Sequence, residues 1–222
     1  MLDATEGRSP RLGTVTSRVH LRALAPTAGD GTTDELETAL TAARSGDEAG
    51  FAMLWRDLHP RLLRYLRGCG DEGPEDLAAE TWMHVVRGLP TFEGGIPEFR
   101  AWLFTIARHR AVDQGRARSR APQTVSVADP VAAAGLAPTA PSAEQEAADN
   151  DATAQALRLV ATLPSAQAEM VLLRVVAGLD VADVARLLDK QPGTVRVGVH
   201  RALRSLSASL SPSPGHEPEG GE

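Results

Sequence analysis

From Pro192 to Leu206 the sequence PGTVRVGVHRALRSL divides cleanly at helical spacing. Val195, Val199, Ala202, Leu203 and Leu206 form one apolar stripe. Thr194, Arg196, Val197, His200, Arg201 and Arg204 are left for the opposite side. Between Lys190 and Arg204 there are four positive charges and no negative one. A helix with that surface suits the DNA major groove, where a guanidinium reads guanine edges or pairs with phosphate. The bland alternative is a helical hairpin whose arginine face is merely solvated. DNA binding is the stronger reading.

The elements needed to hold that helix are present just before it. Asp180 is placed to cap a short helix, with Asp183 three residues on in the capping-box position. Val181, Val184, Ala185 and Leu188 supply its apolar face. A turn is expected at Asp189-Lys190-Gln191, and Pro192 suits the first position of the next helix because it has no amide hydrogen to lose there. Gly178 to Leu206 therefore reads as a helix-turn-helix.

A second basic island precedes it. Arg100, Arg108, Arg110, Arg116, Arg118 and Arg120 face Asp113 alone in their stretch, although the whole chain has a net charge of −6. Acid collects instead in residues 1–50, between Asp129 and Asp149, and in the carboxy-terminal tail. Two basic islands in an acidic chain point to two nucleic-acid contacts and a third partner that prefers a negative surface.

With 222 residues the chain has room for one or two small domains. All eight aromatics lie between Phe51 and Phe104, so only the first domain has a bulky core and the second must pack on Leu, Val and Ala. The single cysteine, Cys69, excludes an internal disulfide framework and reads as an inert thiol where a helix ends. No apolar run has signal-peptide or membrane-spanning length, which predicts a soluble cytoplasmic protein without membrane insertion.

Residues 1–33 lack periodicity and read as a disordered tail. Helical pattern begins near Asp34 with Leu36, Leu40 and Ala43, then covers Glu48 to Arg67 with Pro60 as a kink or break. Another helix starts at Pro74 and runs to about Gly88. Thr91 to Pro97 is a loop containing Gly94-Gly95, followed by a long helix carrying Phe99, Trp102, Leu103 and Ile106 on one face. Phe99 and Trp102 fall on the apolar stripe and read as core rather than as base-stacking platforms, as do Trp55 and Trp82. Residues 119–150 form a flexible, acidic Ala/Pro linker, with a short helix possible over Ser142 to Ala148. Pattern resumes near Ala152, breaks at Leu163-Pro164 and continues through Met170, Leu173 and Val176; residues 211–222 are a second disordered tail. The fold class is all-α: two small helical domains, 34–118 and 151–210, joined by the linker.

That order of parts resembles the extracytoplasmic-function sigma factors, which keep sigma regions 2 and 4. The resemblance covers roughly residues 34–210 and rests on three pieces. Glu75-Asp76-Leu77-Ala78-Ala79-Glu80-Thr81-Trp82 is similar to the family's core-polymerase-binding helix. Phe99 to Arg108, FRAWLFTIAR, looks like its promoter-melting helix. Leu163-Pro164 followed by Thr194-Val195-Arg196 and His200-Arg201-Ala202 is the third. The resemblance implies that Asp76 and Glu80, on one helix face by their four-residue spacing, dock on the β′ clamp of core RNA polymerase. It implies that Gly94, Gly95, Arg100, Arg108, His109 and Arg110 serve the −10 element, with the Phe92–Ile96 loop taking a flipped base. It implies that Thr194, Arg196, Val197, His200, Arg201 and Arg204 face the −35 element. Core polymerase, promoter DNA and an anti-sigma factor are the implied partners. Ala79 and His109 depart from the family's frequent Gln and Asn. The linker, with Asp129, Glu144, Glu146 and Asp149, stands where the family threads acidic chain toward the RNA exit path.

Catalysis finds no support. His20, His59, His84, His109, His200 and His216 are scattered without a metal-ligand spacing, and there is no glycine-rich phosphate loop or nucleophile elbow. No metal, cofactor or enzymatic activity is expected. Two rivals stay open: a stand-alone helix-turn-helix regulator with a helical sensing or dimerisation domain, and an enzyme with an accidental helix-turn-helix likeness.

Overall fold

Thr32 opens the first helix with a reciprocal cap. Its hydroxyl accepts from the Glu35 amide, and its own amide donates to the Glu35 carboxylate at 2.7 Å. The computed structural model describes residues 32–70, 73–120 and 143–209, and the regular elements among them are all helical. The amino-terminal tail before 32, the linker over 121–142 and the tail after 209 lie outside the described residues.

Helix α1 spans Thr33–Arg44 and packs antiparallel to α2, Glu48–Gly68, across a tight turn at Gly46, whose φ is +90°. The two approach closely at Gly50, where a Cβ would sit 2.7 Å from the Ala39 carbonyl oxygen. Helix α2 continues through Pro60 without the break that sequence allowed. Buried Leu54, Leu58, Leu62, Tyr65 and Leu66 lie on both sides of it and hold the two halves in one core. It ends at Gly68, with Cys69 exposed just beyond.

Helix α3, Pro74–Gly88, starts from Gly73 in the left-handed region with Pro74 at its first position. A 3₁₀ turn, Leu89–Thr91, and a short loop lead to α4, Ile96–Arg120. Phe99, Leu103, Phe104 and Ala107 of α4 are fully buried, and Phe104 meets Tyr65 edge-to-face at 5.4 Å.

In the second half, α5 runs without interruption over Ala143–Val160, so the short helix read near 142–148 and the one resuming near Ala152 are the same element. Helix α6, Ser165–Val171, widens into a π turn, Leu172–Val176, before α7, Val181–Leu187, and α8, Pro192–Ser209. Asp180 caps α7 by accepting from the Asp183 amide at 2.7 Å. The Asp183 carboxylate turns to Arg186 instead of completing the box. Asp189 takes φ +51° in the turn before α8, where sequence placed it.

The two halves share one apolar cluster. The end of α2 rests on α5 and the π turn so closely that a Cβ on Gly68 would meet Leu172 Cδ2 at 2.6 Å. Beside this seam Arg108 of α4 pairs with Glu169 of α6 at 2.8 Å. A cavity of about 720 Å³ lies there, lined in part by Tyr65, Cys69, Arg108 and Glu169.

Candidate nucleic-acid interface

The division of α8 is visible in its burial. Val195, Ala202 and Leu206 are buried, and Val199 and Leu203 partly so. Thr194, Arg196, Val197, His200, Arg201 and Arg204 are all exposed. Val197 is an apolar side chain left 49% exposed between cations. Among the described residues, Arg196, Arg201 and Arg204 make no ion pair, so their charge is available to a partner. Gly198 lets α6 approach from behind, since a Cβ there would strike the Met170 sulfur.

The arginines of α4 are used differently from one another. Arg100 turns toward Asp57 at 3.4 Å, and the same buried carboxylate takes Arg61 at 3.1 Å. Two guanidiniums on one carboxylate make a charge cluster inside the fold, where it positions α4 against α2. Arg108 is held by Glu169. Arg110 reaches Glu80 of α3 at 3.1 Å, with both partners well exposed. His109 is exposed, and the neighbouring Thr105 lines a shallow groove with it against Leu179, Asp183 and Leu187 of the second half. Burial and nearby Asp180 raise the Asp183 carboxyl above its ordinary pKa.

The loop before α4 is anchored on both sides. The Phe92 ring stacks on Trp102 at 5.0 Å and meets Phe99 edge-on at 5.5 Å. Phe99 is fully buried and Trp102 partly so, and Gly88 gives Trp102 its space. Gly94, at φ +127°, is exposed and adopts a backbone that glycine alone takes readily. Gly95 lies half-buried beneath it.

On α3, Leu77, Ala78, Thr81, Trp82 and Val85 face inward. Asp76, Ala79, Glu80 and Met83 are exposed on the other side. Asp76 sits in the first helical turn, where the helix dipole favours a carboxylate. Glu75 beside it accepts from Arg67 at 2.8 Å, and that hydrogen bond holds its pKa below the ordinary value.

The sequence matches two family descriptions in the same order as these faces. Sigma-70 region 2 matches residues 54–121, and sigma-70 region 4 matches residues 153–206. The ECF RNA polymerase sigma factor ShbA of Streptomyces griseus is 34% identical over 173 residues, covering 75% of this chain and 90% of that protein. This chain belongs to the ECF RNA polymerase sigma factors. SigD of Mycobacterium tuberculosis, another ECF sigma factor, is 29% identical over 183 residues, covering 80% of this chain and 84% of SigD. The fold is shared with CnrH, solved in complex with the cytosolic domain of CnrY. The TM-score is 0.53 at 21% identity, with 79% of this chain and 97% of that chain covered.

Three positioning features escaped the sequence. The Asp57–Arg61–Arg100 cluster had one legible signal, the four-residue spacing of Asp57 and Arg61. The Arg108–Glu169 pair joins residues 61 apart and had none. The third is a hydrogen bond from the Trp82 indole to His59 Nδ1 at 3.2 Å, with Trp55 stacked on the same imidazole at 4.2 Å. Among the described residues no group of three His, Cys, Asp or Glu has metal-holding geometry, and no helix is long and apolar enough to cross a membrane.

The His59 contact is expected to make this sigma factor's stability depend on pH. Nδ1 accepts only when the ring is neutral, and burial, with Arg67 as a lesser cause, lowers the His59 pKa below 6.5. Below pH 6.5 the unfolded chain therefore binds a proton that the folded chain refuses. The stabilising contribution is complete above pH 6.5 and is expected to decline as pH falls from there toward the folded-state pKa. Denaturant midpoints at pH 7.5, 6.5 and 5.5 for the wild type and His59→Asn check this. The gap between the two proteins should narrow on acidification, and a constant gap would contradict it.

Proposed function

We propose that this chain gives core RNA polymerase its choice of promoter, with residues 34–118 working as sigma region 2 and residues 151–210 as sigma region 4. The observation that carries the reading is the separation of three surfaces. A carboxylate face on α3, Asp76 with Glu80 once it leaves Arg110, is turned outward for polymerase. A cationic face on α8 (Thr194, Arg196, Val197, His200, Arg201, Arg204) is free for the −35 element. The loop and helix at Gly94, Gly95, His109 and Arg110 are left for the −10 element, with Arg108 joining once released from Glu169. Arg100 serves that surface from beneath, through Asp57.

The protein itself is non-enzymatic in this reading and works in the cytoplasm beside polymerase, which performs the chemistry. An anti-sigma protein is the regulatory partner that membership of the family suggests. A stand-alone regulator would instead bind palindromic DNA without polymerase. Run-off transcription from a promoter library with purified core polymerase tests the reading: specific transcripts are expected only when this chain is added. The same transcripts from core polymerase alone would refute it, and tight palindrome binding by the isolated protein would favour the rival.

A further inference from the structure

The loop Phe92–Ile96 is tied at its far end by a residue from another helix. Glu37, partly buried on α1, accepts the Ile96 amide hydrogen on Oε1 at 2.8 Å across 59 residues of sequence. Ile96 is the first residue of α4, so its amide is one of the four that a helix leaves unsatisfied at its start. A carboxylate there is favoured by the dipole as well. The adjacent Gly95 amide donates to Glu98 at 3.0 Å, and the Gly95 carbonyl accepts from Phe99 at 2.9 Å. With Phe92 stacked on Trp102, only Glu93 and Gly94 are left as a free, exposed tip.

Gly95 itself needs explanation, because its φ lies outside the left-handed region that favours glycine. The reason is space. A Cβ at Gly95 would lie 2.7 Å from Glu37 Oε1 and 3.2 Å from Oε2. A Cβ there would push the carboxylate aside from its present position.

We propose that Glu37 is a positioning residue for −10 recognition: its carboxylate fixes the Gly94–Gly95 tip in the shape that receives a flipped base. The inference rests on the reading of this loop as the base-capturing element. Glu37 does not touch the base. It acts through the Ile96 amide and through the closeness it enforces at Gly95. A rigid pocket must replace the stacking a flipped base gives up, and a loop that loses the Glu37 tie is held there only by the local Glu98 and Phe99 bonds.

The test uses holoenzyme assembled with core polymerase, on promoter DNA whose −10 non-template strand is single-stranded. Each −10 position is varied through the four bases and an abasic site. With wild-type holoenzyme one position should show strong base preference and a loss on abasic substitution. Glu37→Ala should reduce that preference about tenfold, the size expected for losing a charged hydrogen bond. Affinity for the abasic template, preference at −35 and association with core should stay unchanged. Glu37→Gln keeps a carbonyl acceptor and should retain most of the discrimination. Gly95→Ala should mimic Glu37→Ala, yet cost little more when added to it. A uniform weakening across all templates, or unaltered discrimination in Glu37→Ala, overturns the positioning role while leaving the loop reading intact. Absence of any base preference in the wild type overturns the loop reading, and the proposal with it. Should Glu37→Ala melt at assay temperature, Glu37→Asp, whose shorter side chain draws the carboxylate back from the Ile96 amide, decides on the same criteria.

Discussion

Replacing Asp76 and Glu80 together by arginine is expected to weaken association with core polymerase by about a hundredfold, while the protein stays folded. Both side chains are exposed on α3, opposite Leu77, Thr81 and Val85. The only ion pair Glu80 makes among the described residues is with Arg110, at 3.1 Å, and both partners stand largely in solvent. Such a pair contributes roughly 0–1 kcal/mol. Removing Asp76 from the first turn costs about another 0.3–1 kcal/mol through the dipole. Two reversed charges facing a surface that prefers carboxylates cost several kcal/mol, so binding falls much further than stability. Titration of labelled core polymerase, with circular dichroism on the same samples, separates the two. Unaltered affinity would mean that α3 is not the docking helix.

On α8, Arg201→Ala is expected to cost the holoenzyme about 1–3 kcal/mol on its best −35 sequence, if the guanidinium pairs bidentately with guanine. Arg201 is exposed, makes no ion pair among the described residues, and lines a shallow recess with Thr194, Val197 and Gly198. Preference at one base position should relax, while the other positions keep theirs. A phosphate contact would give a different signature: all promoters would weaken alike, and the salt slope would fall by roughly one unit. Occupancy across single-base −35 variants at several salt concentrations tells them apart. Arg196→Ala and His200→Ala belong in the same series. If none of the three alters either quantity, α8 does not read the −35 element.

How much of this was legible in the sequence follows from the range of the interactions involved. The two faces of α8 were readable because burial there follows helical period, and period is written locally. The Asp180 cap and the turn at Asp189 were readable for the same reason. Pro60 does not break its helix, because buried leucines on both sides of it hold the two halves in one core, a packing that local rules for proline do not report. The pairing of Arg100 with Asp57 was not legible, since the two lie 43 residues apart. Glu37 carried no signal at all, as its partner Ile96 lies 59 residues on. The surface side of each helix was thus visible, and what fixes one helix against another was not.

The Glu80–Arg110 pair joins the surface assigned to polymerase and the surface assigned to the melted strand. The two affinities are therefore not independent quantities. A partner that withdraws Glu80 leaves the Arg110 charge free for phosphate, and reciprocity requires that DNA held by Arg110 favours that partner by the same factor. For an ion pair this exposed, the factor is at most about fivefold. It is set by one hydrogen-bonded contact, and Glu80→Ala should erase it in both directions at once.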